Sequence, residues 1–205
     1  AYPVIEKDGL LFAYLGPPEL RPPFPVFDTQ ADCVVEKVPF SLSAPCNWLQ
    51  IYENTQDPVH VVHLHSNVSG IQFGVASGVD QIIEYQDSPL GMINIQTREV
   101  DEFVWNRTIE SILPNVNQTG AIWEEAQSEK FFQRSSLLRW VVPLDNMSAR
   151  TIGWRYLSAE LDPDQQGDRS QIGKESIDFI GQTATERSHE EAQRYPGDYE
   201  AQVSQ

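Results

Sequence analysis

The sequence predicts an α+β domain in which a block of strands precedes a block of helices. Two observations carry this prediction. Between residues 82 and 157, segments rich in Val, Ile, Thr, Trp and Tyr alternate with turn residues, as expected for successive antiparallel strands. From Asp168 onward Gln, Glu, Arg and Ala predominate, which is typical of helices. Because the two kinds of element form separate blocks, an alternating α/β fold is not expected.

The first elements are a strand, a stiff connector and a helical segment. Residues 9–16 form a short apolar run bounded by glycines, which predicts a strand. The prolines of residues 17–25 exclude regular structure there. Residues 34–42 have strand character. Residues 47–65 are expected to be helical because apolar residues recur near every 3.6 positions, although Pro58 disturbs the middle.

The central block is predicted to consist of strands, and the C-terminal block of helices. Short links such as Ser88-Pro89 and Pro114-Asn115 separate the apolar segments and favour hairpin connections. Two or more helices are expected after Asp168, with an interruption at Pro196-Gly197. The strands predicted for the central block are residues 82–85, 92–98, 103–113, 131–143 and 150–157.

Composition narrows the functional class. The chain has 205 residues, of which 40% are apolar, enough for one substantial core. Its formal charge of −16 opposes phosphate backbones and anionic membrane surfaces, so neither nucleic acid nor a membrane is an expected partner. No apolar run reaches the length of a membrane span and no export signal is present, so we expect a cytoplasmic protein. Cys33 and Cys46 are predicted to be ordinary buried thiols.

Three of the four histidines, His60, His63 and His65, lie within six positions. Imidazole nitrogens bind Fe, Zn, Cu or Ni, and a nearby carboxylate can complete such a site or orient a ring. The alternative is a half-buried helix end whose ring nitrogens are satisfied within the fold. In an ideal helix His60 and His63 share a face, whereas His60 and His65 differ by about 140° in azimuth. Spacing alone slightly favours His60 with His63, and His60 and His65 converge only if the helix ends or bulges.

The segment that holds these histidines resembles the mononuclear iron motif of the Rieske non-haem iron oxygenases, the α subunits of ring-hydroxylating oxygenases. The residues that match are Asn47-Trp48, Glu53-Asn54, Asp57, His60 and His65. Residues 2–4, 9–16 and 23–27 look like the segment that joins the Rieske domain to the catalytic domain in the phthalate and phenoxybenzoate dioxygenase branch. Residues 142–146 resemble that branch's Val-Pro-Ile-Asp-Asp, with Asn in place of the second Asp.

The resemblance implies a role for each matching residue. His60 and His65 would be ligands of a mononuclear Fe(II), which leaves a packing or supporting role for His63. The third ligand would be Asp198, which follows Tyr195-Pro196-Gly197 at the start of a helix. The alternatives for this position are that Asp198 caps the helix, or that Glu200 is the ligand.

Asp57 and Asn54 are the candidate catalytic residues that the resemblance implies. Asp57 matches the aspartate that links an iron-ligand histidine to a histidine of the Rieske cluster in the neighbouring subunit. The alternative for Asp57 is a cap or a salt bridge before Pro58.

The resemblance also implies the fold and the organisation of the protein. The fold would be a helix-grip fold of the START/Bet v 1 type, with an antiparallel sheet around a long helix. A Rieske [2Fe-2S] cluster needs Cys-x-His and Cys-x-x-His, which the chain lacks, so the cluster is expected on a missing N-terminal domain. Residues 1–28 would be the connector from that domain. Residues 29–205 would be the mononuclear-iron catalytic domain, truncated at its C-terminus.

The implied function is that of a Rieske-type mono- or dioxygenase. It would use O2 and electrons from NAD(P)H, delivered by a reductase, to hydroxylate, dihydroxylate or O-dealkylate an aromatic substrate. A homotrimer or a multiple of it is expected. Two alternatives remain: a non-enzymatic carrier of hydrophobic ligands with the same architecture, and a zinc hydrolase that uses His60, His63 and Asp57. Four aromatic residues suit either a pocket or a core: Phe103, Trp105, Trp140 and Trp154.

Overall fold

Two antiparallel sheets are formed by the residues that the computed structural model describes, which are 2–31, 34–70, 72–124, 129, 134–179 and 181–205. The smaller sheet is a hairpin of β1 (Val4–Lys7) and β2 (Leu10–Ala13). The seven strands of the larger sheet are β3 (Glu36–Ala44), β4 (Ile82–Ser88), β5 (Gly91–Val100), β6 (Phe103–Ile112), β7 (Val116–Gly120), β8 (Ser135–Pro143) and β9 (Ala149–Leu157). They pair in the order β3-β9-β8-β7-β6-β5-β4.

The helices are short, and the helix of residues 48–54 packs on one face of the large sheet, which we call the inner face. There Ile51 and Tyr52 pack against Val141 of β8. Among the described residues no helix has the length and apolar character that crossing a bilayer requires. The helices are α1 (Asp28–Ala31), α2 (Trp48–Asn54), α3 (Pro58–Val62), a π-helical turn (His63–Val68), α4 (His189–Arg194) and α5 (Asp198–Val203).

The opposite, outer face of the sheet is covered by the β1-β2 hairpin and the proline-rich connector. Trp154 and Tyr156 of β9 are fully buried beneath them. The Trp154 ring centroid lies 5.7 Å from that of Phe12 and 5.4 Å from that of Trp140. The indole N–H of Trp154 donates to the carbonyl oxygen of Asp8 at 2.9 Å. The connector is therefore held to the sheet by an aromatic cluster.

The predicted fold class is confirmed, since the chain is α+β with a large antiparallel sheet. Strands lie where residues 34–42, 82–85, 92–98, 103–113 and 150–157 predict them, and β8 coincides with the described part of 131–143. β1 and β7 are not among the strands that the sequence predicts. The sequence of β7, Val-Asn-Gln-Thr-Gly, is polar, and it forms a strand because β6 and β8 both pair with it.

The helical expectations need two corrections. Residues 47–65 do not form one helix, because Asp57 and Pro58 start a new one after α2 ends. The described residues contain no long helix, since the longest continuous helical stretch is α3 with its π-helical turn. The break at Pro196-Gly197 is confirmed, as it separates α4 from α5. Cys46 is buried as predicted, and Cys33 lies outside the described residues.

Candidate metal centre

Three side chains with metal-binding atoms converge on the inner face: His60, His65 and Asp198. One such atom from each residue lies within 4.8 Å of the other two. Nε2 of His65 is 3.0 Å and Nε2 of His60 is 3.3 Å from the same oxygen, Oδ1 of Asp198. In the part of the chain that the structure describes, no other group of three His, Cys, Asp or Glu side chains is arranged in this way.

A change in helix geometry brings the two histidines together. α3 ends at Val62, and the π-helical turn that begins at His63 follows directly. A π-helical turn closes over five residues instead of four, so it can return His65 to the side of His60. The two ring centroids are 5.2 Å apart. The pairing of His60 with His63, which ideal spacing favours, is not formed, because His63 points to solvent.

Each histidine is held by the ring nitrogen that faces away from Asp198. Nδ1 of His65 lies 2.7 Å from Oε1 of Gln72, and Nδ1 of His60 contacts the carbonyl oxygen of Asp57. Both partners are acceptors, so Nδ1 can donate to them in the neutral tautomer that leaves the Nε2 lone pair for a metal. This is the tautomer that binds a metal through Nε2.

Asp198 is the first residue of α5, and close contact between two glycines places it. A β-carbon on Gly197 would lie 2.4 Å from Cα of Gly181. Gly181 has a φ of +85°, in the left-handed region, and its carbonyl accepts the N–H of Tyr199 at 2.8 Å. With no side chain at either glycine, the two segments approach closely. The Asp198 carboxylate contacts the histidines and does not cap its own helix.

The Asp198 carboxylate is held by two amide donors as well as the histidines. The side-chain amide of Asn54 donates to Oδ1 at 3.1 Å, and that of Gln182 donates to Oδ2 at 2.8 Å. Burial would raise the pKa of Asp198, but His65 and His60 outweigh burial and hold that pKa well below its usual range. Burial would likewise lower the pKa of His65, but Asp198 raises it above its ordinary value.

Two other residues from the sequence analysis have structural partners. Asp57 caps α3, where its Oδ1 accepts the N–H groups of Val59 at 2.9 Å and His60 at 3.3 Å. Its side chain is 54% exposed. Glu200 accepts the N–H of Gly197 at 2.8 Å and lies outside the converging group. The structure therefore brings Asp198, not Glu200, to the histidines.

A partly open cavity of about 50 Å³ adjoins the three side chains. Arg107 of β6 and Arg139 of β8 contribute to its wall, together with Asn54 and Gln182. Trp140 and Trp154 lie on the outer face, and Trp105 is buried with the Arg98 guanidinium 5.2 Å from its ring centroid. The apolar residues that line the cavity are Val61, Phe73, Ile109, Ile122, Leu137 and Phe179.

Sequence reasoning did not identify Gln72, Gln182, Arg107 or Arg139. Nothing in the sequence pattern identifies the two glutamines as site residues, because their partners are set only by the folded backbone. The sequence pattern could have identified the two arginines. Each lies at an inward-facing position of a strand, where its neighbours two positions away are mostly buried. A charged residue at such a position indicates a buried partner or a ligand.

Two imidazoles and one carboxylate with a cavity beside them form the donor set of mononuclear non-haem Fe(II) sites. The residues present fit this metal. Both Nε2 atoms are directed at the common point, the carboxylate is ionised, and His65 is only 1% exposed. Such a donor set beside a cavity is typical of non-haem iron oxygenase domains.

Sequence comparison finds relatives that are named as oxygenase or dioxygenase subunits. The chain is 41% identical over 223 aligned positions to the oxygenase subunit of tert-butanol monooxygenase / tert-amyl alcohol desaturase from Aquincola tertiaricarbonis, covering 100% of this chain and 46% of that protein. It is 30% identical over 219 positions to phenoxybenzoate dioxygenase subunit alpha from Ectopseudomonas oleovorans, covering 100% of this chain and 50% of that protein. The chain thus spans about half the length of these relatives. No protein-family model matches it.

Solved structures agree in fold. Dicamba monooxygenase bound to dicamba superimposes with a TM-score of 0.54 at 17% identity, over 76% of this chain and 49% of that one. Another structure of dicamba monooxygenase gives a TM-score of 0.52 at 14% identity, over 99% of this chain and 65% of that one. At these identities the likeness concerns the fold alone.

The similarity to the Rieske non-haem iron oxygenases is therefore confirmed over the whole chain. The comparisons do not favour a non-enzymatic carrier. The grouping of His60, His63 and Asp57 that a zinc hydrolase would need is not assembled, because His63 is exposed and Asp57 caps α3.

Proposed function

We propose that this chain is the mononuclear-iron catalytic domain of a Rieske-type oxygenase, in which His60, His65 and Asp198 hold Fe(II). The observation that carries the proposal is the convergence of two imidazole Nε2 atoms and one carboxylate oxygen beside a cavity with both apolar and polar walls. When bound, the iron would supply the reductive activation of dioxygen, which protein side chains cannot perform.

The surrounding residues would orient the three ligands. Gln72 and the carbonyl of Asp57 keep the histidine protons on Nδ1, so Nε2 is free to bind. Asn54 and Gln182 each donate to one oxygen of Asp198 and thereby limit its rotation. We assign Asn54 a positioning role on this basis.

The substrate would enter the cavity beside Asp198, where its position relative to the metal selects the atom that is oxidised. We propose an aromatic substrate that is hydroxylated, dihydroxylated or O-dealkylated. The relatives are named for tert-butanol and tert-amyl alcohol on one side and for phenoxybenzoate on the other.

Electrons would come from NAD(P)H through a reductase and a Rieske [2Fe-2S] cluster. The 205 residues lack the cluster's ligand pattern, so we place the cluster on a domain outside them. Residues 1–28 would then be the connector and residues 29–205 the catalytic domain. We further propose a cytoplasmic homotrimer or a multiple of it. In this assembly Asp57, which is exposed beside His60, would link to a neighbouring subunit.

Anaerobic titration with Fe(II), followed by metal analysis after desalting, tests the ligand assignment. We expect about one iron per chain in the unchanged protein, and less than about a tenth of that in His60→Ala, His65→Ala and Asp198→Ala, since each change removes one of three ligands. His63→Ala is the matched control and should retain its iron. Equal iron loss in the His63 variant, or full retention in the Asp198 variant, would contradict the proposal.

A further inference from the structure

Two arginines in the cavity wall carry charge that the described residues do not neutralise. Arg107 is 4% exposed; its Nε donates to the carbonyl oxygen of Ala121 at 3.1 Å, and its Nη1 is buried with no hydrogen-bond partner. Arg139 likewise has a buried Nε without a partner. Within the described ranges, neither guanidinium lies within ion-pair distance of a carboxylate.

The electrostatic surroundings of both groups are unfavourable. Burial, and secondarily Arg98, lower the pKa of Arg107 to about 9. Burial lowers the pKa of Arg139 to about 10, although the charge of Asp198 acts in the opposite direction. A buried cation without a counter-ion destabilises a fold, so such groups are usually paired.

Arginines elsewhere in the sheet show how the fold treats a structural guanidinium. Arg155 is fully buried, and its Nε is 3.0 Å from a carboxylate oxygen of Asp178. Arg98 lies over the ring of Trp105 and donates to the carbonyl oxygen of Val79 at 3.2 Å. Neither residue lines the cavity beside the metal ligands. Arg98 and Arg155 each also keep one buried guanidinium nitrogen without a hydrogen-bond partner. Among the described residues, Arg107 and Arg139 differ from them because they line the cavity and have neither a carboxylate nor an aromatic ring as partner.

The unused donors and the wall around them define a ligand chemistry. A guanidinium presents its N–H groups in a planar fork that matches the two oxygens of a carboxylate. A cavity of about 50 Å³ holds a group of a few non-hydrogen atoms, and it is partly open, so the rest of a ligand can extend outward. The wall beside the arginines includes Phe73 and Phe179, which suit a flat apolar body.

We propose that Arg107 and Arg139 bind the carboxylate of an anionic aromatic substrate beside the metal centre. This rests on the proposed function, because it assigns the substrate class of the same cavity. The carboxylate would supply the counter-charge that the described residues lack, and it would fix one end of the substrate while the apolar body lies against the phenylalanines. The two arginines are therefore substrate-binding residues that select for charge.

Calorimetric titration of the iron-loaded protein, kept anaerobic, with benzoate and with benzamide tests this assignment, because the two probes have nearly the same shape and differ in charge. We expect benzoate to bind at least about ten-fold more tightly than benzamide. In Arg107→Met and Arg139→Met this preference should fall at least about ten-fold. Arg150→Met is the matched control, since Arg150 is a surface residue 3.5 Å from Glu175, and its preference should be unchanged.

Lysine variants keep the test decisive if a methionine variant does not fold. Arg107→Lys and Arg139→Lys retain the charge but lose the fork, so each should keep only part of the preference for benzoate. Failure of benzoate to bind more tightly than benzamide, or an undiminished preference in folded Arg139→Met, would overturn the assignment. Iron content is measured in every sample. Normal iron with no charge preference refutes only this assignment, whereas a charge preference without iron binding refutes the proposed function and leaves the anion site standing.

Discussion

Both faces of the large sheet pack apolar residues, but the inner face also buries a series of polar side chains. The outer face carries Leu138, Trp154 and Tyr156, all fully buried beneath aromatic residues of the hairpin and connector. The inner face opposite α2 and α3 buries a series of polar side chains along four neighbouring strands. They are Asn94, Gln96 and Arg98 of β5, Arg107 and Ser111 of β6, Asn117 and Thr119 of β7, and the half-buried Arg139 of β8.

The two faces of the sheet therefore differ in what they contribute to stability and to function. Apolar burial on the outer face is favourable in proportion to the area removed from water, and it needs no partner groups. Each polar group on the inner face needs a hydrogen bond or a counter-charge to offset its desolvation. Some have one, as where Gln96 donates to Asn94 at 2.9 Å, whereas Nη1 of Arg107 and Nε of Arg139 are buried without a hydrogen-bond partner. The outer face therefore contributes apolar packing, and the inner face combines apolar packing with the polar groups of the candidate site.

Removing Trp154 should have the largest effect on stability and little effect on the metal centre. Trp154→Ala deletes a fully buried indole and its hydrogen bond to Asp8, so we expect a loss of about 3–5 kcal/mol in unfolding free energy. Val104→Ala, at a 65% exposed position, is the control and should change stability by less than about 0.5 kcal/mol. Urea unfolding measures both. If folded Trp154→Ala lost its iron, the two faces would not be separable.

A methyl group added at Gly197 should affect the metal centre rather than the packing of the outer face. The new β-carbon would lie 2.4 Å from Cα of Gly181 and 2.7 Å from its carbonyl oxygen, so α5 must move and carry Asp198 with it. We expect Gly197→Ala to weaken Fe(II) binding at least about ten-fold. Gly173→Ala is the matched control, since the nearest atom to its β-carbon, Oγ of Ser176, is 3.8 Å away. Equal Fe(II) affinity in the two variants would show that the glycine contact does not position the ligand.

The smallest effect is in the pH dependence of stability. In the metal-free protein the raised pKa of His65 stabilises the fold below the ordinary value of 6.5, and this contribution is lost as the pH rises through the folded-state pKa. The lowered pKa of Asp198 acts above the ordinary value of 3.8 and is lost only in acid. Metal binding needs deprotonated Nε2 atoms, so iron binds more tightly as the pH rises.

Raising the pH from 6 to 8 should therefore widen the difference in Tm between the iron-loaded and the metal-free protein, by on the order of a few degrees. Thermal unfolding under anaerobic conditions, with and without a chelator, measures this difference. Asp198→Asn should abolish the widening because it removes both the metal ligand and the charge that acts on His65. A constant difference in the unchanged protein would contradict the coupling.

Most strands could be predicted from the sequence, because alternation and β-branched content report directly on burial in a sheet. The outer-face cluster could not, since Trp140 and Trp154 suited a pocket as well as a core. The site could be predicted only in part. Helical spacing favoured His60 with His63, and only the resemblance pointed to His65. The pairing of His60 with His65 depends on a π-helical turn, which the residue pattern does not encode in a recognisable way. Gln182 and Asp198 meet through the fold of an irregular segment, for which spacing offers no rule.

The central claim is that the convergence of His60, His65 and Asp198 is a metal site. Anomalous diffraction at the iron absorption edge, from crystals of the Fe(II)-loaded protein, tests it most directly. We predict one strong peak at roughly 2.0–2.2 Å from Nε2 of both histidines and from a carboxylate oxygen of Asp198, the range of metal bonds to nitrogen and oxygen ligands. A peak at His63 or at another carboxylate, with the three residues left without metal in protein that contains one iron per chain, would contradict the account.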